Sequence, residues 1–234
     1  MTADIIHKKA RQDTAFSTNR AFRTEGIQVS ALKPAAEDGV QLRLHGVDHT
    51  ARPTWKLRET VTFYRDILGL KLIHTISARG WGQPDHPDFL HFFFDAGKGA
   101  TIAFFYYIGT DRPEKYLPED HYFYAATHTA WGVESREELE RWKDTLEARG
   151  IIVSPYTRHE GIESIYFLDP NGYPLEVTLR LRAIERIDAE DAELTLRAAI
   201  ELEDAARASG TRMTDIDAVW RRKAALVDAW LEEA

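Results

Sequence analysis

The chain has 234 residues, of which 44% are hydrophobic and 29% are charged, the balance of an ordinary globular protein with one or two domains. Its 38 acidic residues outnumber its 30 basic ones, and the net charge of -8 excludes a general nucleic-acid binder, which needs clustered Lys and Arg. The absence of cysteine excludes disulfides, thiolate zinc sites, iron–sulfur clusters and cysteine nucleophiles. Any metal ion must therefore be held by His, Asp or Glu.

Residues 1–40 are polar and irregular, and we interpret them as an N-terminal arm. They lack the apolar block of about 7–15 residues that marks a secretory signal. No stretch of the chain approaches the roughly 20 apolar residues that cross a bilayer. These features predict a cytoplasmic protein that does not contact membranes.

Residues 41–112 show a strand-helix-strand order. A short strand-like run contains His49, and a helix is predicted over 56–68, where Leu57, Val61 and Tyr64 share one face. Segments rich in aromatic and β-branched residues then predict strands at 71–76, 89–94 and 101–108.

Residues 113–182 repeat that order. A strand over 125–133 contains His128, and Ser135 with Glu138 three residues later predicts the start of a helix over 135–149. Three further strands are predicted at 151–155, 164–168 and 174–179. The repetition predicts an α+β fold of two tandem β-α-β-β-β modules, whose two sheets form a shared cleft that one histidine enters from each module.

Residues 183–234 are helical in character and complete the predicted domains as a C-terminal extension. A stripe of apolar side chains runs along its second helix, comprising Ile216, Val219, Trp220, Val227 and Trp230. We expect this extension to pack on the modules or on a second subunit. We also expect the protein to form a homo-oligomer.

The strongest local signal runs from Thr157 to Glu176. Within it, Asp-Pro-Asn-Gly predicts a hairpin turn, because Pro170 presets one turn dihedral and Gly172 accepts a positive φ. Such a turn fixes where Glu176 emerges on the next strand. The segment resembles the signature of the type I extradiol ring-cleavage dioxygenases of the vicinal oxygen chelate superfamily. The matching positions are His159, Tyr166, Asp169, Pro170, Gly172 and Glu176.

This resemblance implies a metal centre. By it, His49, His128 and Glu176 hold one Fe(II) ion, with Mn(II) as the alternative. Two His and one carboxylate leave up to about three adjacent positions open on the metal, enough for both oxygens of an aromatic diol and for O2. Predicted strand 101–108 contains no acidic residue, so the fourth ligand that glyoxalase I-like enzymes usually take from the first module is absent.

The resemblance also implies catalytic roles. Tyr166 would hydrogen-bond a substrate oxygen, and His159 would lie near the substrate or oxygen pocket. The family usually has an acid–base histidine well before the second metal histidine, where this chain reads Arg-Pro-Glu-Lys over 112–115. His121 is the nearest candidate for that role.

The favoured function is O2-dependent extradiol cleavage of a catechol-like ring. The alternatives are an isomerase, epimerase or lyase that uses the same metal as a Lewis acid, and a metal-free protein that binds or sequesters an aromatic compound. Oxygen consumption distinguishes the dioxygenase from the isomerase, epimerase or lyase. Metal content distinguishes the dioxygenase from the metal-free binding protein.

Overall fold

A computed structural model describes residues 44–79, 86–115 and 121–233. The N-terminal arm predicted for 1–40 lies outside the described residues. By chain contacts the protein divides into two compact units. The first contains the first β-rich module and most of the second, and the second unit contains residues 158–163 together with 180 onward.

The first module is a four-stranded sheet with one helix against it. Its elements are β1 (His49–Thr54), α1 (Leu57–Val61, continued by a π-helical segment Thr62–Ile67), β2 (Leu72–Ala78), β3 (Phe89–Asp95) and β4 (Thr101–Tyr107). The strand order is β1-β4-β3-β2, with β1 parallel to β4 and the other pairs antiparallel. Because side chains alternate across a sheet, Phe92, Phe94 and Phe104 pack in the core while Phe93 and Phe105 occupy the opposite face.

The second module repeats the arrangement. Its elements are α2 (Tyr122–Ala125), β5 (Thr129–Val133), α3 (Arg136–Ala148), β6 (Thr157–His159), β7 (Ile162–Leu168) and β8 (Pro174–Arg180). The strand order is β5-β8-β7-β6, with β5 parallel to β8. The side chain of Ser135 caps α3 by accepting from the Glu138 N–H at 3.2 Å, as the sequence predicts.

The two-module α+β prediction is confirmed, with two local differences. The strand predicted over 125–133 begins only at Thr129, because Tyr122–Ala125 forms a helical turn, and His128 therefore precedes the strand. Residues 151–155 follow the edge of β7 without becoming a strand. Ser154 bonds the Tyr166 backbone there, and Pro155 lacks the N–H that would continue a ladder.

The modules share one hydrophobic core. It draws on helix residues such as Tyr64, Leu139 and Leu146 and on sheet residues such as Phe104 and Val177. A buried polar contact accompanies it, in which the Thr54 hydroxyl at the end of β1 donates to Oδ1 of Asn171 at 2.8 Å. Core packing therefore fixes the two sheets within one unit.

The second unit contains a helical hairpin of α4 (Arg186–Ala208) and α5 (Ile216–Glu233). A reciprocal capping box opens α4: the Glu185 N–H donates to Asp188 at 2.8 Å, and Glu185 accepts in return. Ala198, Val219 and Leu226 are buried between the helices. The predicted apolar stripe is split, since Val219 is buried whereas Trp220 is exposed. Among the described residues, no helix is long and apolar enough to cross a membrane.

Candidate metal centre

Glu176 is a buried carboxylate in the middle of β8. Its neighbours Leu175 and Val177 belong to the hydrophobic core, so alternation along the strand turns Glu176 to the opposite face. Only 3% of the residue is exposed. A buried carboxylate requires hydrogen-bond donors, a cation or both, because its desolvation would otherwise cost several kcal/mol.

His128 provides the first partner of that carboxylate. Its Nε2 lies 3.0 Å from Oε2 of Glu176. Its Nδ1 lies 3.0 Å from the backbone carbonyl oxygen of Ala125, and only a protonated Nδ1 can form a hydrogen bond with that carbonyl. In the neutral imidazole, Nε2 would then present a lone pair toward the carboxylate.

Two lone pairs that face one another at this distance repel, so the pair needs a proton on Nε2 or a cation bound to both atoms. Adjacent ligands on a metal ion with bonds of about 2.1 Å lie about 3.0 Å apart at right angles. An imidazole with its second nitrogen on a backbone carbonyl is also the usual arrangement of a metal-ligating histidine. His128 and Glu176 therefore fit a divalent metal ion.

Tyr166 on β7 is the third group at this site. Its hydroxyl donates to the Glu176 carboxylate, and its ring lies edge-on to His128 with centroids 6.3 Å apart. Burial raises the pKa of the Tyr166 hydroxyl above its usual value of 10.0; Ser164 lowers it and Glu176 raises it. Tyr166 therefore remains a hydrogen-bond donor throughout the neutral pH range.

His49 begins β1, on the sheet of the first module. Its Nδ1 lies 2.7 Å from a carboxylate oxygen of Asp48, and its ring is edge-on to Phe93 at 5.9 Å. Within the described parts of the chain, no group of three His, Asp or Glu side chains is close enough to hold one metal ion. The structure thus brings His128, Glu176 and Tyr166 together, and His49 as a ligand stays a prediction.

The two remaining predicted site residues have other surroundings. His121 precedes α2 and caps it, with Nδ1 accepting from the Phe123 N–H at 3.2 Å. His159 ends β6, belongs to the second compact unit, and lines a surface cavity there with Arg180 and Arg182. The catalytic roles of both residues stay predictions.

The sequence did not single out two features of the site. Ser164 lies two residues from Tyr166 on the same face of β7, and its hydroxyl donates to Thr178 at 2.9 Å. A cavity of about 970 Å³ adjoins His128 and Tyr166 and is walled by residues 150–155. Alternation along β7 would have identified Ser164, whereas no local pattern marks 150–155 as a cavity wall.

Comparison with known proteins places this geometry in a family. Residues 46–177 match the model of the Glyoxalase/Bleomycin resistance protein/Dioxygenase superfamily. This match covers more than half of the chain, and the protein belongs to that superfamily. The vicinal oxygen chelate resemblance is therefore confirmed.

Individual relatives are distant and differ in chemistry. MhqA of Bacillus subtilis (strain 168), a proposed ring-cleaving dioxygenase, is 24% identical over 144 residues, which are 58% of this chain and 41% of MhqA. Glutathione transferase FosA of Serratia marcescens is 28% identical over 135 residues, which are 57% of this chain and 80% of FosA. The crystal structure of a lactoylglutathione lyase from Agrobacterium tumefaciens is 23% identical with a TM-score of 0.41, over 58% of this chain and 94% of the lyase.

Proposed function

We propose that the protein is a metal-dependent dioxygenase that cleaves a catechol-like ring with O2, using Fe(II) or alternatively Mn(II). The observation that carries the proposal is the buried Glu176 carboxylate facing Nε2 of His128 at 3.0 Å, with the Tyr166 hydroxyl donating to the same carboxylate. A bound metal ion would supply open coordination positions for the diol and O2.

The side chains at this site have separate tasks in the proposal. Glu176 and His128 hold the metal, and the contact of His128 with the Ala125 carbonyl fixes the orientation of the imidazole. When substrate binds, Tyr166 donates its one hydroxyl hydrogen to a substrate oxygen in place of Glu176, which orients the diol and stabilises negative charge on that oxygen. His159 supports the substrate or oxygen pocket, and His121 is the proposed acid–base residue.

His49 is the third metal ligand in this proposal. It lies on the sheet face that also presents Phe93, whereas Glu176 lies on β8 of the second module and His128 directly precedes β5. A homo-oligomer provides a route by which His49 of one copy reaches the His128 and Glu176 pair of another. Aromatic side chains beside His49 would then form part of the pocket wall.

The lack of an acidic side chain on β4 supports an open metal rather than a four-ligand centre of the glyoxalase I type. The wider superfamily contains enzymes with other reactions, so oxygen consumption is the discriminating measurement. An isomerase, epimerase or lyase would convert its substrate without O2, and a sequestering protein would retain no stoichiometric metal.

The experiment is anaerobic loading with Fe(II) or Mn(II), metal analysis, and then oxygen-electrode and absorbance measurements over a set of substituted catechols. We expect one metal per site and O2 uptake equal to the ring-opened product formed. Glu176→Gln and His128→Ala should lose both metal and turnover, whereas the exposed control Glu140→Gln should retain them. Metal retention and full turnover in either site variant would contradict the proposal.

A further inference from the structure

The cavity beside His128 and Tyr166 is larger than a single ring requires. Its volume is about 970 Å³. An engineered cavity of about 150 Å³ accommodates benzene, and ligand pockets for drug-sized molecules span about 300–1,000 Å³. An unsubstituted catechol would therefore leave most of this cavity unfilled.

The lining of the cavity is apolar apart from a few side chains. Its larger apolar members are Phe63, Ile151, Ile152, Val153, Phe167 and Leu168. Among the described residues that line it, none is Lys or Arg. An anionic substituent would lose its hydration there without meeting an opposite charge on these lining residues, which is unfavourable.

Two of the polar lining residues are engaged within the protein. The carboxylate of Asp169 accepts from the Tyr64 hydroxyl at 3.1 Å and from the N–H groups of Asn171 and Tyr173 at 2.8 and 2.9 Å. The Ser154 hydroxyl oxygen accepts from the Tyr166 N–H at 3.0 Å. The other polar side chains of the lining are His128 and Tyr166, the residues that the proposed function assigns to metal and substrate.

The cavity wall is attached to the strand that carries Tyr166. The Ser154 N–H donates to the Tyr166 carbonyl at 2.9 Å, so residues 150–155 are held along the edge of β7. Ile152 is 91% exposed and Leu168 is 59% exposed, although both line the cavity. An apolar group bound between them would remove this surface from water, which is favourable by about 25 cal/mol per Å².

We propose that this cavity binds an apolar substituent of the substrate, and that the substrate class is alkyl- or aryl-substituted catechols rather than unsubstituted or anionic ones. This inference rests on the proposed function, because it takes the diol to lie at His128 and Tyr166. The substituent then extends along residues 150–155. Ile152 and Leu168 determine specificity without contacting the reacting atoms.

The test is a series of catechols with hydrogen, methyl, propyl or hexyl substituents, together with a catechol carboxylate. Anaerobic titration calorimetry measures their binding to the metal-loaded protein, and kcat/KM is measured in parallel. We expect association constants to rise about threefold to fourfold per methylene, and the carboxylate to bind more weakly than methylcatechol. Equal binding of catechol and hexylcatechol would overturn the inference.

Variants locate the substituent. Ile152→Asp and Leu168→Asp replace exposed side chains and should each lower the preference for hexylcatechol over catechol about tenfold, measured as the ratio of their association constants in the same variant. The matched control is Ile108→Asp, at an exposed isoleucine that does not line the cavity, and it should leave the series unchanged. If both cavity variants showed the same association constants for the catechol series as the unaltered protein, the inference would be overturned.

The two proposals fail separately. An alkyl dependence of binding with no O2 uptake would overturn the dioxygenase proposal and support the cavity inference. O2 uptake coupled to ring opening, with no dependence on the alkyl chain, would overturn the cavity inference and leave the dioxygenase proposal intact.

Discussion

The Tyr64 hydroxyl on the helix of the first module donates to Oδ2 of Asp169, in the turn before β8 of the second module, at 3.1 Å. Both residues are buried. Burial and the nearby Asp169 carboxylate raise the pKa of Tyr64 well above 10.0, so the phenol stays protonated and continues to donate. The Asp-Pro-Asn-Gly turn that positions Glu176 is therefore attached to the opposite module.

Tyr64→Phe should lower the free energy of unfolding by about 1–3 kcal/mol, because a buried carboxylate loses one donor while the ring contacts remain. Urea denaturation of the metal-free protein measures the change. Tyr122→Phe, which removes an exposed hydroxyl, is the control and should have no measurable effect. Equal stability of Tyr64→Phe and the unaltered protein would show that the Tyr64 hydrogen bond contributes nothing net.

Tyr166→Phe should keep the metal and lose catalytic efficiency. Glu176 and His128 remain in place, whereas the hydroxyl that donates to Glu176, and that is proposed to donate to the substrate oxygen instead when substrate binds, is gone. We expect kcat/KM to fall about tenfold to a hundredfold, the range for a hydrogen bond to a charged group. The metal content of the same preparation, with Tyr156→Phe as control, separates loss of catalysis from loss of the ion.

Mixing of variants tests whether His49 acts across copies. His49→Ala and His128→Ala should each be inactive, and a refolded mixture should regain part of the activity, because some mixed oligomers contain one intact site. His74→Ala is the matched control: His74 lies on the same sheet, 5.6 Å from Phe93, and its loss should leave metal binding unchanged. An inactive mixture of correctly assembled oligomers would assign His49 to its own chain or to no metal role.

His91 should make the protein less stable in mild acid. Burial lowers its pKa below 6.5; the hydrogen bond from Nδ1 to the Phe104 carbonyl raises it, and His49 and His74 lower it. Below about pH 6.5, His91 binds a proton in the unfolded chain but stays neutral in the folded protein until the pH reaches its lower folded-state pKa. The contribution of neutral His91 to the free energy of unfolding is complete above about pH 6.5 and is lost as the pH falls toward the lower, folded-state pKa.

Denaturant unfolding between pH 7 and 5 should therefore show a steeper loss of stability in the unaltered protein than in His91→Gln. The difference in slope can reach about 1.4 kcal/mol per pH unit for one group. The comparison uses slopes, because removing the ring that stacks on Phe105 at 3.7 Å will also change stability at every pH. Parallel pH profiles would refute a titrating role for His91.

The exposed face of α5 should support self-association. Trp220 and Leu231 are each 60% exposed, although α5 buries Val219 and Leu226 against α4. Light scattering should give the mass of at least two chains, and Trp220→Glu should lower it toward one chain, since buried tryptophans commonly contribute about 2 kcal/mol or more at interfaces. Arg212→Glu is the charge-change control. A monomeric mass for the unaltered protein would remove the prediction.

Local signals in the sequence were sufficient for much of the fold and for Glu176. Alternation between Leu175 and Val177, after a turn fixed by Pro170 and Gly172, identifies which face of β8 carries the carboxylate. The Asp169 carbonyl accepts from the Gly172 N–H at 2.9 Å, and Gly172 has a φ of 81°, as the predicted turn requires. Such features depend on neighbours in sequence.

Contacts between distant segments could not be predicted in the same way. The strand predicted from residue 125 begins only at Thr129, because Ala125 is the last residue of the helix Tyr122–Ala125 that His121 caps. The cavity wall at 150–155 depends on pairing of Ser154 with Tyr166, twelve residues away. The position of His49 relative to Glu176 depends on the packing of two modules, which no local pattern encodes.

Ala125, whose carbonyl accepts the hydrogen bond from His128, is the last residue of α2. His121 is the N-cap of the same four-residue helix. A change at either end of this short segment would therefore alter the orientation of the imidazole. Loss of turnover on replacing His121 would be ambiguous between proton transfer and a disturbed ligand. The metal content of a His121→Ala preparation would resolve it, because only the second cause releases the ion.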